Sequence, residues 1–271
     1  PATKPAKGKK FNKNNSHVKN YRKFLKTKHN DTLNAVKISL QRKTYDYTVV
    51  LNGFAARLTE SEAQKLAKQP GGVRVSPDDI RYRTTDNIPD FLELTVPAGA
   101  YDKDINGENV IVGVIDTGIW PEHPSFADDG SYSTLAGESV PCEFGNTAHN
   151  PEDAPFTCNS KLIGARQVLD TYRLQYGVEP DEYDSARDDH THGTRTTSVA
   201  AGNADVSAST FGIPRGTISG MAPRAHVVAY KALGKRGAYM SDLVAAIDQA
   251  VLDRVDVINL SMGAGGSLRS A

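Results

Sequence analysis

The spacing of hydrophobic positions changes partway along the chain and separates two kinds of unit. Between residues 16 and 38, Val18, Tyr21, Leu25, Leu33 and Val36 fall roughly on one helical face with lysines elsewhere, which predicts an amphipathic helix. Tyr45 to Leu58 is rich in tyrosine and valine, includes Phe54 and is broken by Asn52-Gly53, the pattern of strand, turn and strand. Thr59-Glu60-Ser61-Glu62 reads as a capping box. It opens a short helix carrying Ala63, Leu66 and Ala67, which Pro70-Gly71-Gly72 stops. Gly72 to Pro77 alternates as a strand does. The result is a small α+β unit of about seventy residues, a size that is only marginally stable alone.

After a linker running from Pro89 to Gly107 the pattern becomes one of strand signals alternating with helix signals. Strands are predicted at Val110–Ile115, Leu162–Gln167, Ala225–Tyr230 and Val255–Leu260. Helices are predicted after His192 and from Ser241 to Arg254, with Ser241 as N-cap. Strand–helix–strand alternation with apolar strands implies an α/β domain, a parallel sheet covered on both faces. Asp205 to Gly220, rich in glycine and serine, reads as a surface loop. The chain therefore divides into a basic disordered tail at 1–15, the α+β unit at 16–83, a linker at 84–107 and the α/β domain at 108–271.

Charge changes this picture little. Lysines plus arginines number 32 and so do aspartates plus glutamates, a balance that argues against nucleic acid as the main partner. The lysine-rich first thirty residues read as a solvated tail. No apolar run approaches the ~18 residues of a membrane span. The chain begins at Pro1 without a leader-like segment, so a leader is expected either to have been removed or to lie outside this sequence. Cys142 and Cys158 sit in a loop-like stretch. Spacing leaves two readings open: a disulfide in an oxidising compartment, worth about 3 kcal/mol by chain entropy, or two free thiols. It is too wide for Cys-x-x-Cys metal or redox chemistry.

The chemistry concentrates at two places. The strand Val110–Ile115 delivers Asp116 to its carboxyl end, followed at once by Thr117 and Gly118. Open α/β sheets place active sites at that edge. Farther along, His192-Gly193-Thr194 opens a helix of small residues. An aspartate that can orient a histidine, and a histidine that can act as base, are two members of a charge-relay triad. His17, His29, His123 and His226 read as surface or packing histidines, and His190 lacks the Gly-Thr that follows His192. Ser261-Met262-Gly263 ends the last strand with exposed backbone and a glycine, suited to pairing with an extended peptide. The glycines after it lack the lysine of a phosphate loop.

Asp116-Thr-Gly-Ile-Trp-Pro-Glu-His-Pro-Ser-Phe126 and His192-Gly-Thr194 resemble the aspartate and histidine boxes of the subtilisin-like serine proteases, closest to the plant-type branch and its bacterial relatives. The resemblance implies a truncated, parallel-sheet subtilisin-like domain in which Asp116 and His192 are catalytic and Ser261, Met262 and Gly263 bind substrate backbone. Asn52 to Leu58 with Thr59–Glu62 resembles the family's inhibitory propeptide, implying that residues 16–83 form a ferredoxin-like inhibitor domain. Its tail, Asp78 to Thr85, would lie along the cleft and be cut between Arg83 and Thr84. A cysteine pair before Lys161-Leu-Ile-Gly-Ala-Arg166 also occurs in the plant-type branch and implies a Cys142–Cys158 disulfide. Polypeptide substrates, the chain's own propeptide as partner and an extracellular location follow from the same resemblance. Calcium is common in the family, but no run here has the spacing of a known calcium loop, and no cofactor is expected.

Two departures stand out. Arg195 occupies the place of the family's second histidine; facing the cleft, it would make His192 harder to protonate. No serine sits in a Gly-Thr-Ser setting, and Ser267 and Ser270 lack the helix that follows a nucleophile. The expectation is therefore the front part of a protease precursor, inactive alone, with the serine and oxyanion asparagine beyond Ala271; Asn259 is not that asparagine. The alternatives are a subtilase-derived inhibitor and an extracellular scaffold.

Overall fold

The computed structural model describes residues 11–70, 74–78, 80–83, 99–103, 105–133, 135 and 139–263. In the first unit, α1 spans Ser16–Ala35 and is capped by Asn15, whose side chain accepts the His17 N–H. Its buried face is Val18, Leu25, His29 and Leu33, so a histidine occupies a core position. His29 is satisfied there: Nδ1 meets Asp46 at 2.7 Å and Nε2 meets Asn52 at 3.0 Å. Strands β1 (Lys43–Tyr47) and β2 (Gly53–Ala56) pair antiparallel. The predicted capping box is present on α2, Glu60–Ala67, and Glu62 also holds Arg42 through two bonds of 2.7 Å.

Two expectations for this unit need correction. Asn52-Gly53 is not the turn: Gly53 already lies in β2, and the connection runs from 48 to 52. The reason is tertiary, because the Val49 and Val50 N–H groups leave the hairpin to bond Asp248 at 3.2 and 3.0 Å. Residues 74–78 are not in a strand; strand structure resumes at β3, Ile80–Arg83, whereas 71–73 lie outside the described residues.

The second unit is built on four parallel strands in the order β10-β4-β8-β5, with β4 at Ile111–Asp116, β5 at Leu162–Gln167, β8 at His226–Lys231 and β10 at Val257–Asn259. Alternation along the strands makes two cores. Val112, Val114, Val227 and Ala229 face one way and pack with Ala201 of α4, His192–Ala201. Ile115, Val228 and Tyr230 face the other and pack with Leu243, Ala246 and Ala250 of α5, Met240–Leu252. The strands are apolar on both sides because a helix covers each face. A shorter helix, α3, spans Asp170–Tyr176.

Asp205–Gly220 is not an irregular loop but contains a hairpin of β6 (Val206–Thr210) and β7 (Ile213–Ile218). Phe211 and Gly212 at its tip both have positive φ, 51° and 76°, as a tight hairpin turn requires. Ser241 is not the N-cap of α5 either; it lies within the first turn, after Tyr239, and the helix has no side-chain cap from its own N-cap residue. Asp78 of the first unit takes that role, accepting the Ser241 N–H at 2.8 Å and the Ser241 hydroxyl.

Further contacts seat the first unit on α3 and α5. Tyr45 donates to Asp242 at 2.8 Å and Tyr47 to the Ser241 carbonyl at 3.0 Å. Asp242 also accepts the Thr171 and Tyr172 N–H groups, capping α3. Burial outweighs these donors and pushes its carboxyl up to about 6.

Candidate active site

Asp116 ends β4 at the carboxyl edge of the sheet, and His192 begins α4 beside it. Both are buried, at 1% and 8% exposure. His192 Nδ1 lies 2.7 Å from Asp116 Oδ1. That oxygen also accepts the Thr117 N–H at 2.7 Å, and Oδ2 accepts the Thr196 hydroxyl at 3.2 Å. Burial pushes the Asp116 carboxyl upward, while the His192, Thr117 and Thr196 donors pull against it. With Nδ1 committed to Asp116, His192 presents Nε2, which is buried and has no hydrogen-bond partner among the described residues. A neutral imidazole held so can take a proton at Nε2 while its new charge is balanced at Nδ1.

Glycine is required where α4 meets the β4 turn: a Cβ on Gly193 would stand 2.1 Å from the Gly118 carbonyl oxygen. This close approach lets the helix start reach the strand end. Arg195 is exposed on α4, whereas Asp116 and His192 are buried. The other histidines do other work: His123 accepts the Ser125 N–H at 3.2 Å, and His226 bonds the Ser160 carbonyl and stacks edge-on against Tyr132.

A separate three-stranded antiparallel sheet joins the two units. β3 sits between β9 (Ala238–Tyr239) and β11 (Met262–Gly263). Arg83 is opposite Met262 and Tyr82 opposite Gly263, while Ile80 and Arg81 face Tyr239 and Ala238. Residues from the end of the first unit thus fill the backbone slot formed by the second. Ser261 donates to Asn259 at 2.8 Å just before that slot. Thr84, Ser267 and Ser270 lie outside the described residues.

Cys142 and Cys158 are joined in a disulfide. The loop it closes carries Asp153, fully buried, which accepts the Gly145 and Asn146 N–H groups and pairs with Arg187 at 3.1 Å. No group of three or more potential metal-ligating side chains occurs among the described residues, nor is any described helix long and apolar enough to cross a membrane.

Sequence reasoning missed two acids that organise these elements. Asp188 gathers the start of α4, and Asp78 caps α5 from the other unit. Asp188 carries a local signal, an acid just before a helix start, where anions favour the dipole. Asp78 carries none, because its partner is far away in sequence.

An α/β sheet with a buried Asp–His pair at its carboxyl edge is thus preceded by a smaller unit whose last strand fills a slot between two of the larger unit's strands. Residues 107–271 match the subtilase family, peptidase S8, and residues 3–84 match peptidase inhibitor I9. The chain belongs to the subtilase family. It is 44% identical over 230 residues to subtilisin-like protease SBT1.4 of Arabidopsis thaliana, covering 82% of this chain and 29% of that protein. Against SBT2.5 of the same plant it is 36% identical over 250 residues, covering 90% of this chain and 30% of the relative. The chain thus spans about 29% of the length of SBT1.4.

Proposed function

We propose that the chain supplies the propeptide and the acid–base half of a secreted serine endopeptidase precursor. Asp116 orients His192 and stabilises the imidazolium. His192 takes the proton of a serine supplied by sequence outside residues 1–271 and returns it to the leaving amine. Ser261, Met262 and Gly263 bind the substrate main chain as an added strand. Until the bond after Arg83 is cut, residues 80–83 occupy that position and exclude other peptides. The Cys142–Cys158 disulfide favours an oxidising, extracellular setting. Arg195, exposed to water, is read as compatible with activity.

The observation that carries this reading is the 2.7 Å contact between buried Asp116 and His192. Expressed from its own gene in a secretory host, the precursor should be cut between Arg83 and Thr84. The product should react with a fluorophosphonate probe, and His192→Ala should abolish both events. Probe labelling that survives His192→Ala would refute the assignment. The seating of β3 between β9 and β11 favours one second reading, an inactive protein acting as an inhibitor in trans. Tight inhibition of a related subtilase by residues 16–83, with no self-cleavage, would select it.

A further inference from the structure

The helix that presents His192 cannot cap itself. Its N-cap residue, Thr191, makes no side-chain cap bond and is held at φ 72°. A β-branched residue at positive φ is strained and persists only where its surroundings over-determine it. The surroundings here converge on the carboxylate of Asp188, which is 4% exposed. Its Oδ1 accepts the Thr191 N–H, the His190 N–H and the Thr117 hydroxyl, each at 2.9 Å. Its Oδ2 accepts the Thr194 N–H at 2.8 Å and the Thr194 hydroxyl at 2.5 Å.

These donors flank both members of the pair. Thr117 follows Asp116, and Thr191 and Thr194 bracket His192. The Thr117 hydroxyl is spent as donor to Asp188, so its oxygen is free to accept the Gly193 N–H, which it does at 2.8 Å. One carboxylate and one hydroxyl thereby tie the strand end to the helix start. The segment that carries this carboxylate is held from both sides. Lys231, opposite Asp116 in the β4–β8 register, reaches the carbonyls of Tyr183 and Arg187 and the Asp189 carboxylate at 2.7–3.0 Å. Arg187 is held by Glu122 through bonds of 2.7 and 2.9 Å and lies over the Trp120 ring.

We propose that Asp188 is a positioning residue that, through Thr117 and the first turn of α4, sets the approach of His192 to Asp116. This rests on reading Asp116 and His192 as the catalytic pair. An asparagine cannot replace it, since its amide brings one acceptor oxygen and two donors to a site offering five donors.

The test uses residues 1–271 and needs no proteolysis. The proton between His192 Nδ1 and Asp116 is sought as a far-downfield proton NMR signal, assigned by its loss in Asp116→Asn. Its exchange with solvent is then compared across variants whose circular dichroism matches wild type. Asp188→Asn and Thr117→Val should speed exchange at least about tenfold, the factor that corresponds to one lost charge-assisted hydrogen bond. Thr117→Ser should restore the wild-type rate. Wild-type exchange in both impaired variants, or a serine variant as impaired as the valine one, overturns the proposal. Should Asp188→Asn not fold, the two Thr117 variants decide. A wild-type chain without the signal sinks the Asp116–His192 pairing itself, and the role of Asp188 with it; with the signal present, failure touches Asp188 alone.

Discussion

Removing one oxygen from Tyr45 should loosen the seat of the first unit on the second. The Tyr45 hydroxyl donates to Asp242 at 2.8 Å and accepts the Asp170 N–H at 3.2 Å. In Tyr45→Phe the Asp170 N–H turns to water, since that end of α3 is exposed. Asp242 has no such recourse. It is buried, keeps the Thr171 and Tyr172 N–H donors and the Thr171 hydroxyl, and already has its carboxyl pushed up to about 6 by burial. Losing a hydrogen bond to an ionised group costs about 2 kcal/mol, close to a thirtyfold change in an equilibrium constant. The cost should depend on pH with a definite sign. The folded-state value lies above the unfolded one of 3.8, so stability from this group is complete below 3.8 and lost as pH rises through about 6. Tyr45 helps the ionised form, so its removal should cost the full amount at pH 8 and much less at pH 5. The assay is urea unfolding of residues 1–271 at the two pH values, with hydrogen exchange of the Val49 and Val50 amides reporting the interface. A loss below about 0.5 kcal/mol at pH 8, or an equal loss at both pH values, refutes the reasoning. In a double-mutant cycle with Asp242→Asn, coupling of about 1–2 kcal/mol is expected.

Three further outcomes follow from the packing. Gly193→Ala would place a Cβ 2.1 Å from the Gly118 oxygen, so α4 must shift; destabilisation of about 2 kcal/mol or more in urea, with loss of the downfield His192 proton, is expected. Replacing Cys142 and Cys158 with serine should remove about 3 kcal/mol, read as a lower urea midpoint that matches the reduced wild type. Lys161 is buried against the carbonyls of Pro223 and Ala225 with its amine pulled down to about 7 by burial. A depressed amine makes the unfolded chain hold more protons between about 7 and the model-compound value of 10.5, so stability should rise with pH across that interval, and Lys161→Met should flatten the slope.

What could be read from sequence was what burial writes into a periodic pattern. The strand ending in Asp116 was legible almost to the residue because a strand covered on both faces is uninterruptedly apolar, and Leu162–Gln167 was legible from the apolar residues at its start. The capping box at Thr59–Glu62 was legible because its donors and acceptors lie within one turn. Asp116 and His192 were found as motifs, each at the end of a recognisable element. The hairpin at Val206–Ile218 escaped because most of its residues are exposed, leaving backbone pairing and a turn at Phe211-Gly212 but no core-facing alternation. The turn at Asn52-Gly53 was misplaced because Asp248, far along the chain, draws the Val49 and Val50 amides out of the hairpin. Ser241 looked like a cap because it is a small hydroxyl residue at a helix start, but the carboxylate that caps α5 comes from Asp78. Local sequence therefore determined most of the elements and singled out Asp116 and His192. Only the tertiary structure decided which distant carboxylates hold them, since a buried hydrogen bond is chosen by which donors are brought together in space, a proximity that no short window of sequence records.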